Sequence, residues 1–331
     1  MRLSFVLTRL VSAASVLVLM TLAAGPAGAN RPADRFPIAR TLPLPGSEVS
    51  EARSPQPQRS AGAGTVCPKS SRATKNRPDV RGGRLVHVIY LVPSDRADEA
   101  LDTDGTLQCS MEAQQRWMKE QSGMRWRLDT YFATKKVGRK KVRTELVDIT
   151  FIKSGQPAAN LGSAAGVSGE LKLRGFEGNK RYLTFAASGI DGGPCGDAYW
   201  PFDSQDPNED GQYAQVYMFS SDGCHAHEFG VPGAPSYPEM IAQQEIMHND
   251  GMTPLGAPHG CGPLGLPAHV CTGPLVFTTG FGLDPEEQDI LFPYVTEPLP
   301  AKTVDVGRDD YFRHPFPYRD LADSPFLEPA K

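Results

Sequence analysis

Past its first thirty residues, this 331-residue chain lacks any apolar run near the roughly 20 residues that a membrane-spanning helix needs. It has no C-x-x-C pair, which removes the usual cysteine spacing of cytosolic metal sites. It has no phosphate-binding glycine loop and no G-x-S-x-G nucleophile elbow; the serines of "VSG" (167–169) and "ASG" (187–189) read as loop residues. No internal repeat is present. The body also lacks a basic excess. From Leu85 onward there are 21 Lys and Arg against 34 Asp and Glu, a net of −13. Binding to nucleic acid rests on phosphate neutralisation, so no nucleic-acid partner is expected.

What the chain does have begins with Arg2 and Arg9, an apolar stretch from Leu10 to Ala24, and Ala27-Gly28-Ala29. Residues 1–29 are therefore expected to be a secretory signal peptide cleaved after Ala29, which makes the protein secreted or extracellular. No later segment is expected to span a membrane. Six cysteines, at 67, 109, 195, 224, 261 and 271, suit three disulfides in an exported chain. The expected pairs are Cys195–Cys224 and Cys261–Cys271, with Cys67–Cys109 left over. Residues 30–84 hold 11 Lys and Arg against 4 Asp and Glu and are rich in Pro, Ser, Ala and Gly. That composition buries no core, and it reads as a disordered linker or leader.

Order is expected from residue 85 to 331. "RLVHVIYLVP" is a β-branched strand closed by Pro93. "CSMEAQQRWMKEQSG" follows as a helix capped by Ser110 and stopped by Gly123. "RWRLDTYFA" alternates as a strand, "KKVGRKKVR" is a solvated hairpin tip, and "TELVDITFI" returns. A short helix near 168–175 and the strands "RYLTFAAS" and "YAQVYMFS" complete an α+β (mixed α/β) domain. From Gly189 onward, regular structure thins. Four of the six cysteines lie there and would pin it.

One helix carries the chemistry. In "SYPEMIAQQEIMHNDG" (236–251), Ser236 and Glu239 form a capping box, Pro238 sits in the first turn, and Gly251 ends the helix. Gln244 and His248, four residues apart, share a face with Glu245 beside them. With His at 244 this would read HExxHxxG, the zinc-hydrolase arrangement of two imidazoles and a general-base carboxylate. His259 and His269 follow in "GAPHGCGPLGLPAHVC". The competing reading is an ordinary amphipathic helix burying Met240, Ile241 and Met247.

Several motifs recur in order: Tyr90–Pro93, Trp117–Gly123, Arg127–Tyr131, Cys195–Gly196, Glu245–Gly251, Ala257–His259, His269–Cys271 and "VDVGRDDYF" (304–312). In this order the chain resembles a group of secreted bacterial zincin-like metallopeptidases, from residue 85 onward. The resemblance implies a twisted sheet, a backing helix and an active-site helix below a cleft. It also implies zinc as cofactor, a peptide or protein substrate, and Glu245 as the catalytic base. His248 would be one metal ligand and His269 the preferred third, with His259 the second choice. Gln244 stands where the first zinc histidine belongs. Leu291, in "QDILFPY", stands where Met-turn zincins place a methionine, and Pro254 occupies another branch's ligand position. An amide in place of an imidazole costs about two to three decades of zinc affinity if roughly 10–16 kcal/mol is shared among about four ligands. The rival reading is a non-catalytic secreted protein using the cleft to bind a peptide or envelope component. Two weaker signals read as turns: "CHAHEF", with His225, His227 and Glu228, and "DPNEDG", with calcium-loop spacing from Asp206 but Tyr217 at its twelfth position. N-terminal sequencing of the secreted protein is expected to begin at Asn30. Retention of the Leu10–Ala24 run would overturn the export argument.

Overall fold

The computed structural model describes residues 38–41, 67–199, 212–220, 222–231, 233–251, 258–261, 268–271, 285–315 and 319–331, all within the unit Asp34–Lys331. The expected signal peptide and the Asp206–Gly211 turn lie outside the described residues.

The elements run β1 (Ile38–Thr41), β2 (Val86–Val92), α1 (Thr106–Ser122), β3 (Met124–Trp126), β4 (Thr130–Val137), β5 (Lys140–Val147) and β6 (Ile149–Lys153). They continue with α2 (Ala164–Leu173), β7 (Arg181–Ala186), β8 (Gly196–Tyr199), β9 (Tyr213–Tyr217), α3 (Tyr237–Asn249) and β10 (Leu327–Pro329). Six strands form one mixed sheet in the order β1-β8-β9-β7-β2-β6. β6, β2, β7 and β9 are parallel, β8 runs antiparallel to β9, and β1 antiparallel to β8. The chain is thus α+β with a mixed sheet, as expected.

Every residue of β2 is buried, which is why "VHVIYLV" shows no polar alternation. Val86, Val88, Tyr90 and Val92 pack on the side of α1 and α3, whereas Ile89 and Leu91 pack with α2. β7 and β9 divide alike: Leu183, Phe185, Ala214 and Val216 on one side, Tyr182, Ala186, Tyr213 and Tyr217 on the other. Helices therefore cover both faces.

Several boundaries differ from expectation for identifiable reasons. α1 begins one turn before Cys109, at Asp104-Gly105, where the Asp104 carboxylate accepts the Thr106 N–H at 2.8 Å and Gly105 takes φ 101°. Ser110 is consequently inside the helix. The expected strand at 125–133 is two strands. β3 pairs with β10, and the chain then bridges to β2, with Val86 N–H donating to Arg127 O at 2.9 Å and Asp129 N–H to Val86 O at 2.8 Å. The hairpin at 130–147 is present, but its return breaks at Asp148 so that β6 joins the main sheet. α2 starts earlier, at the Ser163 cap.

The leader is the largest difference. Residues 38–41 pair with β8, and residues 67–84, expected to be linker, are tied to the domain. Cys67 is bonded to Cys109, and Phe151 N–H donates to Ala73 O at 2.7 Å. Arg72 grips Asp102 through two hydrogen bonds (2.9 and 2.7 Å) and lies over the Phe151 ring, Arg77 pairs with Asp148, and Arg81 pairs with Glu145 and Glu328. The basic leader thus neutralises acids of the acidic body. Composition alone shows neither partner.

One buried ion pair sets the end of α3. Arg181, at the start of β7, pairs with Asp250 and donates to Asn249 O at 3.3 Å, with Phe326 stacked 3.8 Å beneath its guanidinium. Ser324 Oγ donates to Asp250 at 2.7 Å. Removing one partner of a buried pair costs about 3–5 kcal/mol, because the other charge is stranded in a medium of low polarity. Arg181→Met is expected to lower unfolding free energy by that order in urea titration. Adding Asp250→Asn is expected to restore part of it, whereas simple addition of the two losses would show the pair to be uncoupled.

Candidate metal centre on helix α3

α3 is buried from Pro238 to Asn249 on every face. An amphipathic helix would expose its polar side, which α3 does not, while Met240, Ile241 and Met247 are buried as the core reading expects. A buried polar group needs a partner, and most here have one. Glu239 accepts from the N–H of Ser236 (2.8 Å) and of Gly230 (3.2 Å), the acidic half of the expected capping box. Gln243 accepts from Trp126 Nε1 at 2.8 Å and donates to Gln114 at 3.1 Å. Asn249 donates to Tyr199 O and Tyr213 O, fastening the last turn to β8 and β9. Gln244 donates through Nε2 to Phe292 O at 3.0 Å.

His248 differs. It has no exposed surface, and neither ring nitrogen has a hydrogen-bond partner among the described residues. Its ring meets that of His269 edge to face, centroids 4.6 Å apart. Burial first, and the facing His269 second, hold its pKa well below the ordinary histidine value. The ring is therefore neutral, the form that offers a lone pair to a metal.

His269 reaches this position through backbone pairing. Cys261 N–H donates to His269 O at 3.0 Å and Cys271 N–H to His259 O at 2.7 Å, a short antiparallel bridge closed by the Cys261–Cys271 disulfide. Val270 N–H donates to Leu291 O at 3.1 Å, docking this bridge on the loop that Gln244 holds through Phe292. Leu291 is fully buried there, its N–H on the Asp289 carboxylate at 2.7 Å. Of the four candidate ligands, His248 and His269 are thus in contact and Gln244 lies one turn back on the helix. His259 is turned elsewhere: it is part-exposed, and its Nδ1 faces Asp310 at 3.0 Å. Partial burial lowers its pKa, but the bond to Asp310, then the charges of Asp310, Glu286 and Asp309, leave it raised.

Glu245 is buried on the same helix, and Gly196 is what lets it sit there. A Cβ on Gly196 would come within 2.8 Å of Glu245 Cγ and 2.7 Å of both Gln215 O and Ile241 Cγ2. The neighbouring Cys195 is bonded to Cys224. All three cysteine pairings are those expected from the sequence, and no helix among the described residues is long and apolar enough to cross a membrane.

Two groups of described residues bring three ligand-type side chains together with their donor atoms all within 4.8 Å: His87, Asp129 and Asp148, and His259, Asp309 and Asp310. The first was not anticipated. Asp129 and Thr150 flank His87 at 2.8 and 2.9 Å, a hydroxyl–imidazole–carboxylate row. All three side chains are buried, Lys180 Nζ already sits on Asp129 at 2.6 Å, and Arg77 pairs with Asp148. Burial alone would raise the Asp129 pKa, but His87 and Lys180 bring it below the usual value. This is a neutralised core network. In "CHAHEF" the chain turns, with His225 on Glu228 at 2.9 Å and stacked on Tyr237.

The sequence reading missed the acidic floor around "VDVGRDDYF". Asp289 accepts from Leu291 N–H, Val306 N–H and Tyr311 OH, and Asp305 accepts four backbone N–H groups from residues 309–312. The clustered aspartates of that motif were visible, but Asp289, which Val306 and Tyr311 meet, and His259, which Asp310 meets, are not neighbours of the motif in sequence. The chain matches no family model, no curated protein and no solved structure.

Burial pushes the Asp289 pKa from 3.8 up to about 8. Between about pH 4 and pH 8 the folded state therefore keeps a proton that the unfolded chain has released, so stability falls as pH rises through that window. Asp305 and Asp310, also raised, act in the same direction. The urea midpoint is expected to decline from pH 5 to pH 8, and Asp289→Asn to make that decline shallower. An unchanged slope in the variant would locate the proton on another group.

Proposed function

We propose that this chain is an exported zincin-like hydrolase domain that takes zinc on His248 and His269, with Glu245 as general base toward a peptide substrate. The observation that carries this reading is His248: a buried, neutral imidazole with neither nitrogen partnered among the described residues, against a second buried imidazole. Leaving such a group without a partner costs about 1–3 kcal/mol unless something binds it. A neutral His248 imidazole facing the imidazole of His269 offers the donor type that zinc takes, so the residues present fit that ion.

When bound, zinc supplies Lewis acidity toward a water and a peptide carbonyl. Glu245, on α3 between the two candidate ligand positions, would accept a proton from water at its carboxylate. Gln244 positions rather than reacts: its amide N–H is committed to Phe292 O, so it holds the floor loop against the helix. Two imidazoles with a weak amide neighbour make a looser site than three imidazoles. Export supplies the oxidising compartment that the three disulfides suit.

Gln244 also favours a second reading, a non-catalytic protein that uses the α3 cleft to bind a peptide or envelope component. A side chain spent on a backbone carbonyl is structural, and a helix held that way keeps its shape without metal.

Zinc titration followed by dialysis separates the two. One equivalent is expected on the native chain, lost in His248→Ala and in His269→Ala. Gln244→His is expected to tighten binding by about two to three decades. Glu245→Gln on either background is expected to keep the zinc and abolish any peptide hydrolysis. Absence of zinc from both the native chain and Gln244→His would end the metal reading, and peptide binding without metal would then establish the second.

A further inference from the structure

The hairpin of β4 and β5 stands apart from the main sheet as its own two-stranded ribbon, and residues 134–145 are exposed throughout. Between Ala133 and Glu145 it carries Lys135, Lys136, Arg139, Lys140, Lys141 and Arg143 with no acidic residue. The pairing register sorts these side chains. Lys135 faces Val142, and Val137 faces Lys140, so successive rungs of one face each pair a valine with a lysine. On the other face Lys136 lies directly opposite Lys141. Like charges opposite one another oppose strand pairing, and an isolated two-stranded ribbon is marginal in water. Val137 is 58% exposed and Val142 44%. None of Lys135, Lys136, Arg139, Lys140 and Lys141 makes an ion pair among the described residues.

We infer that this ribbon docks on an anionic lipid surface. Paired cations alone would suit any polyanion, but the valines add nothing to a contact with a soluble one. At a bilayer interface both parts have a place: the valines enter the headgroup boundary while lysine stems lie along it with their ammonium groups on phosphates. The acidic body does not oppose this contact. From the buried rung Tyr131↔Leu146 to the tip rung Val137↔Lys140 is six residues of each strand, about 20 Å at about 3.4 Å per residue. That is about two screening lengths at physiological salt, so the body's charge is largely screened from the tip. Neither strand reaches α3, so the inference stands apart from the metal reading.

The test is sedimentation of the full chain with vesicles of phosphatidylcholine alone and of phosphatidylcholine mixed equally with phosphatidylglycerol. Binding is expected only to the mixed vesicles and should weaken with added salt. Each Lys or Arg at such a surface contributes about fivefold in partition, so Lys136→Gln/Lys140→Gln/Lys141→Gln is expected to lose on the order of a hundredfold. Val137→Ser/Val142→Ser is expected to lose roughly tenfold while keeping all charges. These side chains are exposed, and unchanged thermal unfolding would confirm that the variants fold. Absence of binding to the mixed vesicles overturns the inference. So does equal binding of native chain and valine variant, together with equal competition by soluble heparin, which would identify a generic polyanion contact.

Discussion

The hydrogen bond from Gln244 to the carbonyl of Phe292 fastens α3 to the loop beneath the candidate centre. It joins α3 to the loop at 289–292, that loop accepts the N–H of Val270 through Leu291, and Val270 delivers His269 to the face of His248. The circuit closes on the helix where it began. The first two links are hydrogen bonds in the protein interior, where leaving either partner unmet costs about 1–3 kcal/mol, and the last is a ring contact. Position 244 thus has a structural task in the native chain, holding the floor loop to the helix.

The same economy of partners runs through the rest of the fold. A helix buried on all sides tolerates Gln243, Gln244, Glu239 and Asn249 because each finds a donor or acceptor on a different element: Trp126 of β3, the floor loop, the α3 entry, and β8 with β9. Those bonds orient α3 in four directions at once. Hydrophobic burial by Met240, Ile241, Ile246 and Met247 holds it on the sheet but would not fix its rotation. Gly196 sets the height of the helix above β8, since any side chain there would collide with Glu245 and Ile241. Gln243, Gln244, Glu239 and Asn249 each make at least one hydrogen bond, whereas neither ring nitrogen of His248 has a partner among the described residues.

Much of this was legible in the sequence. The fully apolar run of β2, the hairpin with its turn after Val137, the Ser236–Glu239 start of α3 and the three cysteine pairs were all readable from local pattern. The strand break at Arg127–Asp129, the ordering of residues 67–84 and the turning of His259 to Asp310 were not. Each rests on a partner far along the chain: Val86 for Arg127, Asp102 and Asp148 for Arg72 and Arg77, Asp310 for His259.

By itself the sequence determined the periodicities: which stretches are strands, where α3 starts and stops, and that Gln244, Glu245 and His248 share a helix. These follow from steric preference, capping and spacing, which act within about four residues. Tertiary structure alone decided what those side chains meet. The Gln244 amide found a backbone carbonyl, His248 met the ring of His269 and no hydrogen-bond partner among the described residues, and the arginines of the leader found the acids of the body. The reason is physical. A polar side chain's role is set by the group that replaces its lost water, and that group arrives through the folding of distant chain.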